Sequence, residues 1–204
     1  MNQDAKKSVA KEKAEVRKLA RASRARVHEQ YASEGRRLLK HRADDILNFI
    51  EPGEGLVIAG YHPIKDEIDC LGLLSTLRDK GYGTALPRMR AHEKSLDFYK
   101  WVGSMPLEVG AYGVREPAIS SELVVPDIIL LPLLSFDLNG GRLGYGGGYY
   151  DRTLAALRAG GQVTAIGVGY DAQEVDDVPR DDNDQLLDYI ATPTRMITVA
   201  KTSS

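Results

Sequence analysis

Ten consecutive residues, Arg142-Leu143-Gly144-Tyr145-Gly146-Gly147-Gly148-Tyr149-Tyr150-Asp151, combine an arginine, four glycines, three tyrosines and a carboxylate. Glycine lacks a Cβ, so such a run can adopt positive φ and bring its backbone amides against the oxygens of a polyphosphate. A mostly apolar run over 126–136 precedes it and a short helical pattern follows. The turn therefore sits between a strand and a helix N-terminus, where unpaired N–H groups and the helix dipole favour an anion. Neither common phosphate motif fits. A P-loop needs Lys and then Ser or Thr after its last glycine, where this chain has Tyr149, and a dinucleotide fingerprint counted from Gly144 and Gly146 meets Tyr149 at its third glycine position. A flexible turn without a ligand would account for the glycines alone. Tyr149-Tyr150-Asp151 points further: two aromatic rings suit a planar ligand, and a carboxylate at a helix start can cap the helix or hold Mg2+.

Other residue types with chemical potential lie at both ends of the chain. Residues 1–42 hold 13 Lys plus Arg against 5 Asp plus Glu, a local charge of +8 within a chain of net charge −2. A solvated helix face, a nucleic-acid surface and a nucleotide triphosphate site all fit such a run, although Tyr31 is its one aromatic residue. Lys13 and Arg17 are four apart and share a helix face; Lys7 with Lys11, or Lys18 with Arg21, offers a similar pair. Residues 171–188 concentrate eight acidic side chains against Arg180, and two or three of them could hold Mg2+ beside substrate phosphates. His28, His41, His62 and His92 have no metal-ligand spacing, and no Ser/His/Asp order stands out. The single cysteine, Cys70, excludes an intrachain disulfide and, among Ile68, Leu71 and Leu74, reads as a core residue.

The elements that must position these residues follow from periodicity. Residues 4–32 contain no helix breaker and are rich in Ala, Lys, Glu and Arg, and 36–50 carries Leu38, Leu39, Ile46, Leu47 and Ile50 near a 3.6 period, closed by Pro52-Gly53. Residues 55–61 read as a buried strand, 68–80 as a helix and 81–86 as the next strand, a β-α-β unit with parallel pairing. Its loop, 62–66, leaves the carboxyl end of the first strand, so Glu67 lies on the same rim as the glycine turn. There it is a helix-start charge or a ligand-binding carboxylate. Arg88 and Arg90 follow the second strand and face that rim, as solvated loop residues or as partners for a phosphate or carboxylate. Residues 96–102 read as a strand, with Trp101 in the core, and the irregular stretch 103–118, with Tyr112, Arg115, Glu116 and Pro117, has the length of a functional loop or lid. A helix over 152–159, a buried strand over 163–170 and a last strand over 196–200 complete the chain.

The expected fold is α/β, a single domain over 1–204 with a mostly parallel sheet flanked by helices on both faces in an open three-layer arrangement. A basic helical segment over about 4–50 packs against the sheet. No apolar run approaches the ~20 residues of a membrane span, and the N-terminus lacks the apolar core of a secretory signal, so a cytoplasmic protein without a membrane partner is expected.

The segment Arg142 to Leu154 (RLGYGGGYYDRTL) resembles the signature of the 5-formyltetrahydrofolate cyclo-ligase family, also called 5,10-methenyltetrahydrofolate synthetase. Supporting pieces occur in the family's order: the basic N-terminal helix, Lys65-Asp66-Glu67-Ile68, Leu86-Pro87-Arg88, Arg115-Glu116-Pro117 and the acidic segment near the C-terminus. The resemblance implies an enzyme that turns 5-formyltetrahydrofolate and ATP into 5,10-methenyltetrahydrofolate, ADP and phosphate. It implies ATP contacts from Lys13, Arg17, Arg142, Leu143, Gly144, Tyr145, Gly146, Gly147, Gly148, Tyr149 and Tyr150. It further implies folate contacts from Glu67, Tyr145, Gly146, Gly147, Gly148 and Tyr149, and Mg2+ held by Asp151 and Asp184. ATP and the folate are then the partners of a monomer, without nucleic acid. One departure is visible: many members carry a lysine in a G-K-G-Y-Y-D run where this chain has Gly147, and Arg88, Arg142 or Arg152 could supply the missing cation. Two other classes stay open, a sugar-phosphate isomerase or CoA-transferase-like enzyme on the same sheet, and a nucleic-acid-binding protein using the basic arm.

Overall fold

The structure, a computed structural model, describes residues 3–49, 53, 55–90 and 92–200, with side chains from residue 7 onward. The chain opens with one long helix, α1 (Gln3–Lys40), followed after a two-residue turn by α2 (Ala43–Phe49). Sequence reasoning breaks this segment near Gly35, yet the helix runs through it. Gly35 is buried where α1 crosses Tyr170, and a Cβ there would stand 2.8 Å from Tyr170 Cε1. Close packing of helix on sheet, not a turn, explains the glycine. The predicted helix end at Ile50 and Pro52 lies outside the described residues.

An eight-stranded sheet carries the rest. Its strands are β1 (Val57–Ala59), β2 (Gly83–Arg90), β3 (Ser95–Lys100), β6 (Leu123–Val124), β7 (Ile128–Pro132), β10 (Thr164–Val168), β11 (Tyr189–Ala191) and β12 (Met196–Thr198). They lie in the order β12-β11-β10-β7-β1-β2-β3-β6. The five strands from β11 to β2 pair in parallel, and β12, β3 and β6 add antiparallel edges. The expected β-α-β unit forms, with α3 (Leu71–Asp79) crossing from β1 to β2 in register Val57↔Gly83. The helix starts three residues later than the periodicity predicts, which leaves Glu67 in the loop and not at a helix start, and β2 runs four residues further, to Arg90.

Two short pairs lie outside this sheet. β4 (Leu107–Val109) pairs with β5 (Arg115–Pro117), and β8 (Ser135–Phe136) with β9 (Arg142–Leu143). The first replaces the irregular stretch expected over 103–118. The second shows that the apolar run 126–136 is a strand that bends after Pro132 into a separate hairpin. Helix α4 (Tyr149–Gly160) follows β9 through the glycine turn.

Alternation along the strands divides the core into two layers. Ile58, Ile128, Leu130 and Ile166 pack with Leu39 of α1, Ile46 of α2 and Leu73, Leu74 and Leu77 of α3. Ala59, Ile129, Leu131, Ala165 and Ile190 face the other way, against Leu154 of α4. Helices thus cover both faces, and Cys70 and Trp101 are core residues as expected. Because the central strands are parallel, the segments that follow β1, β7 and β10 all emerge on one rim. None of the described helices is long and apolar enough to cross a membrane.

Candidate active site

A cleft of about 1110 Å3 opens along this rim, lined by every residue from Arg142 to Arg152 and by Lys13, Arg17, Glu67 and Asp184. The glycine turn forms its floor. Gly146 (φ 98°) and Gly148 (φ 68°) occupy the left-handed region, and Gly148 is the N-cap of α4 with no side chain capping the helix. The first N–H groups of α4 are therefore left to a ligand, in the arrangement that suits a phosphate.

Helix α1 lies along one wall and presents a cationic stripe to it. Lys13 is buried, with Nζ 2.6 Å from Asp181 Oδ2 and 2.5 Å from Asp184 Oδ2. Burial works against its charge, but the two carboxylate bonds outweigh it and hold the pKa up, while the same lysine lowers that of Asp181. Arg17 Nε donates to the Gly144 carbonyl at 3.0 Å and its guanidinium lies under Gly146. The members of the competing pairs, Lys7 with Lys11 and Lys18 with Arg21, are exposed and none lines the cleft, although the Arg21 guanidinium lies over the Tyr145 ring, 5.3 Å from its centroid. Of the three registers, Lys13/Arg17 is the one with both cations in the cleft lining.

The carboxylates at this end are held by cations. Buried Arg142 donates to Asp151 Oδ1 at 2.7 Å, and the same oxygen accepts the Gln185 amide at 3.1 Å. Asp184 Oδ2 accepts the Asp181 amide at 2.6 Å besides Lys13. Among the described residues no group of three His, Cys, Asp or Glu forms a metal cage. Two carboxylates on one cleft, beside free helix N–H groups, instead suit a hard divalent ion completed by phosphate oxygens and water.

Glu67 sits in the middle of the rim, 4% exposed, with Oε2 accepting the Ile64 amide at 2.9 Å. Burial pushes its carboxyl up to about 7, against the pull of the Ile64 amide and Arg24. It is poised to exchange its proton near neutrality. Towards β2 and β3 the cleft is closed by the β4–β5 hairpin, whose Tyr112, Val114, Arg115 and Glu116 line it. Tyr112 takes a left-handed conformation (φ 57°) at the hairpin tip and reaches Tyr149; the hydrogen bond between them pushes the Tyr149 phenol up. The buried Glu116 carboxylate anchors the hairpin by accepting the Met89 amide at 3.1 Å.

Arg88 and Arg90 do not join the site. Both belong to β2, where Arg88 binds Glu108 at 2.9 Å and the Pro117 carbonyl at 2.7 Å, and Arg90 pairs with Glu93 at 2.8 Å. Their charges secure the hairpin and the β2–β3 turn. Sequence reasoning missed Asp181, one acidic residue among eight, and Arg24, one cation among thirteen in the N-terminal segment. Arg24 is 1% exposed, and its spacing from Lys13 and Arg17 puts it on the same stripe of α1.

Comparison with known proteins agrees with this geometry. The family model described as "5-formyltetrahydrofolate cyclo-ligase family" matches residues 9–193. The 5-formyltetrahydrofolate cyclo-ligase of Haemophilus influenzae is 32% identical over 152 residues, covering 70% of this chain and 81% of its own. That of Mycolicibacterium smegmatis is 33% identical over 150 residues, covering 70% and 76%. The solved structure of 5,10-methenyltetrahydrofolate synthetase from Aquifex aeolicus superposes with a TM-score of 0.73 at 31% identity, covering 94% of this chain and 95% of that one. With the match spanning nearly the whole sheet and every segment of the rim, the chain belongs to the 5-formyltetrahydrofolate cyclo-ligase family.

Proposed function

We propose that the protein converts 5-formyltetrahydrofolate to 5,10-methenyltetrahydrofolate at the expense of ATP, releasing ADP and phosphate. The observation that carries this reading is the shared cleft: anion-binding groups at the β10 end and a buried carboxyl of raised pKa at the centre line one space. Its volume, about 1110 Å3, suits two ligands side by side.

In this reading the amides of the glycine turn and the start of α4, with Lys13 and Arg17, hold the triphosphate of ATP. Asp151 and Asp184 would hold Mg2+, which when bound neutralises charge on the phosphate oxygens. Glu67, in its ionised form, accepts the N–H donors of the pterin, and Tyr145 and Tyr149 flank the folate. The formyl oxygen attacks the γ-phosphorus as the bond to ADP breaks. N10 then attacks the activated formyl carbon, losing its proton, and the former formyl oxygen departs with phosphate. The chain contributes alignment of formyl oxygen and γ-phosphate and stabilisation of the charge that develops between them. Closure by the hairpin tip, Tyr112 over Tyr149, excludes water from the activated formyl group.

A spectrophotometric assay tests the reading. Growth of the near-ultraviolet band of the methenyl product is expected from 5-formyltetrahydrofolate only when MgATP is present, with one ADP released per product. ATP binding without product would overturn the folate assignment.

A further inference from the structure

Arg24 is fully buried on α1, does not line the cleft, and touches three segments that do or that lead into it. Its Nε and Nη2 bind the two oxygens of Asp66 at 2.9 and 3.1 Å, Nη1 donates to the Leu133 carbonyl at 3.0 Å, and Nη2 also donates to the Tyr145 hydroxyl. Asp66 precedes Glu67 in the loop after β1, Leu133 follows β7, and Tyr145 belongs to the glycine turn. A leucine would fill the same position on the stripe without the cost of burying a charge, and buried ion pairs contribute little net stability. What the guanidinium adds is fixed geometry, through a planar fork that lysine cannot reproduce.

The direction of one bond carries the consequence. A neutral tyrosine has a single hydroxyl proton. Because Tyr145 accepts from Arg24, its own proton is free to be donated, and its side chain lines the cleft beside Glu67.

We propose that Arg24 is a positioning residue: it holds the Tyr145 hydroxyl as a donor toward a carbonyl oxygen of the folate and fixes, through Asp66, the spacing between that donor and Glu67. The proposal rests on the function proposed above.

Arg24→Lys, Tyr145→Phe and the double variant test it, with Michaelis constants for both substrates and calorimetric binding of 5-formyltetrahydrofolate to the nucleotide-free protein. Loss of a charge-assisted bond predicts that Arg24→Lys weakens folate binding and raises the folate KM by about tenfold or more, while the ATP KM stays within about threefold. The double variant is expected to match Arg24→Lys within about twofold, because both changes remove the same oriented hydroxyl. A folded Arg24→Lys with unchanged folate affinity, equal loss of both substrates, or losses that multiply in the double variant would overturn it. Should Arg24→Lys fail to fold, Asp66→Asn carries the same expectation and the same refutation. Absence of turnover by the unaltered protein would sink the functional reading itself, whereas normal turnover by all variants sinks the role of Arg24 alone.

Discussion

Replacing Glu67 with glutamine separates what the fold pays for this carboxyl from what the substrate gains by it. Its pKa is raised from 4.5 to about 7, and each unit corresponds to about 1.36 kcal/mol, so the ionised form costs the ligand-free protein about 3 kcal/mol. Between pH 4.5 and about 7 the unfolded chain has released this proton and the folded chain retains it. The folded state binds more protons, so the Glu67 contribution to stability declines as pH rises through that window and levels off above it. Glutamine stays neutral and keeps an acceptor for the Ile64 amide. The variant should therefore stay within about 1 kcal/mol of the parent at pH 5 and exceed it by about 3 kcal/mol at pH 8.5, where the gap is about 6–12 °C in Tm for a chain of this length. Calorimetric scans from pH 5 to 9 measure it. A difference in Tm that does not change with pH would refute the argument that burial sets this pKa. Folate binding carries the opposite sign. Pterin donors favour the carboxylate, so affinity for 5-formyltetrahydrofolate should climb as pH rises through about 7, with a proton released on binding, and the glutamine variant should lose turnover and show neither effect.

Lys13→Met removes the cation shared by Asp181 and Asp184, so the ATP KM should rise by about tenfold while Mn2+ binding without nucleotide, read by paramagnetic resonance, tightens. Unchanged Mn2+ affinity would contradict the pairing. Arg152 donates to the Gly147 carbonyl and lies against Gly148, so it stands with Arg17 beside the lysine-free glycine turn and is the nearer of the two to Gly147. Arg152→Ala should raise the ATP KM by about tenfold and Gly147→Lys on that background should bring it back to within about threefold; no recovery would assign the turn's positive charge elsewhere. Gly35→Val places a side chain against Tyr170, where the added Cβ would meet Cε1 at 2.8 Å. Overpacking of about 1–3 kcal/mol should lower Tm by about 2–12 °C, and an unchanged melting curve would show that α1 can shift off the sheet freely.

Local signals and long-range ones separate cleanly in this chain. The strands Val57–Ala59, Ile128–Pro132 and Thr164–Val168 were legible because parallel strands buried on both faces read as runs of aliphatic residues, and the glycine turn because its composition serves few other purposes. Tyr189–Ala191 was hidden beside the acidic segment, being three residues long and defined by its partners on either side. The β4–β5 hairpin was illegible for the same reason: its anchor, Glu116 on the Met89 amide, joins segments 27 residues apart. Arg88 read as a rim residue because a sequence shows a charge and not its partner, and that partner, Glu108, comes from the hairpin. Gly35 misled in the other direction, a helix breaker by propensity that packing against Tyr170 turns into a requirement. Arg24 is the most instructive case. Thirteen cations crowd the N-terminal 42 residues, and composition cannot rank them. Helical phase can: the inward stripe that ends at Gly35 and Leu39 passes back through Val27, Arg24, Ala20, Arg17 and Lys13. A cation on a stripe that otherwise meets the core must find an acceptor inside the protein, so phase narrows the candidates to a few that include Lys13, Arg17 and Arg24. Arg21, in phase with Leu39 yet exposed, shows that the partners decide the rest.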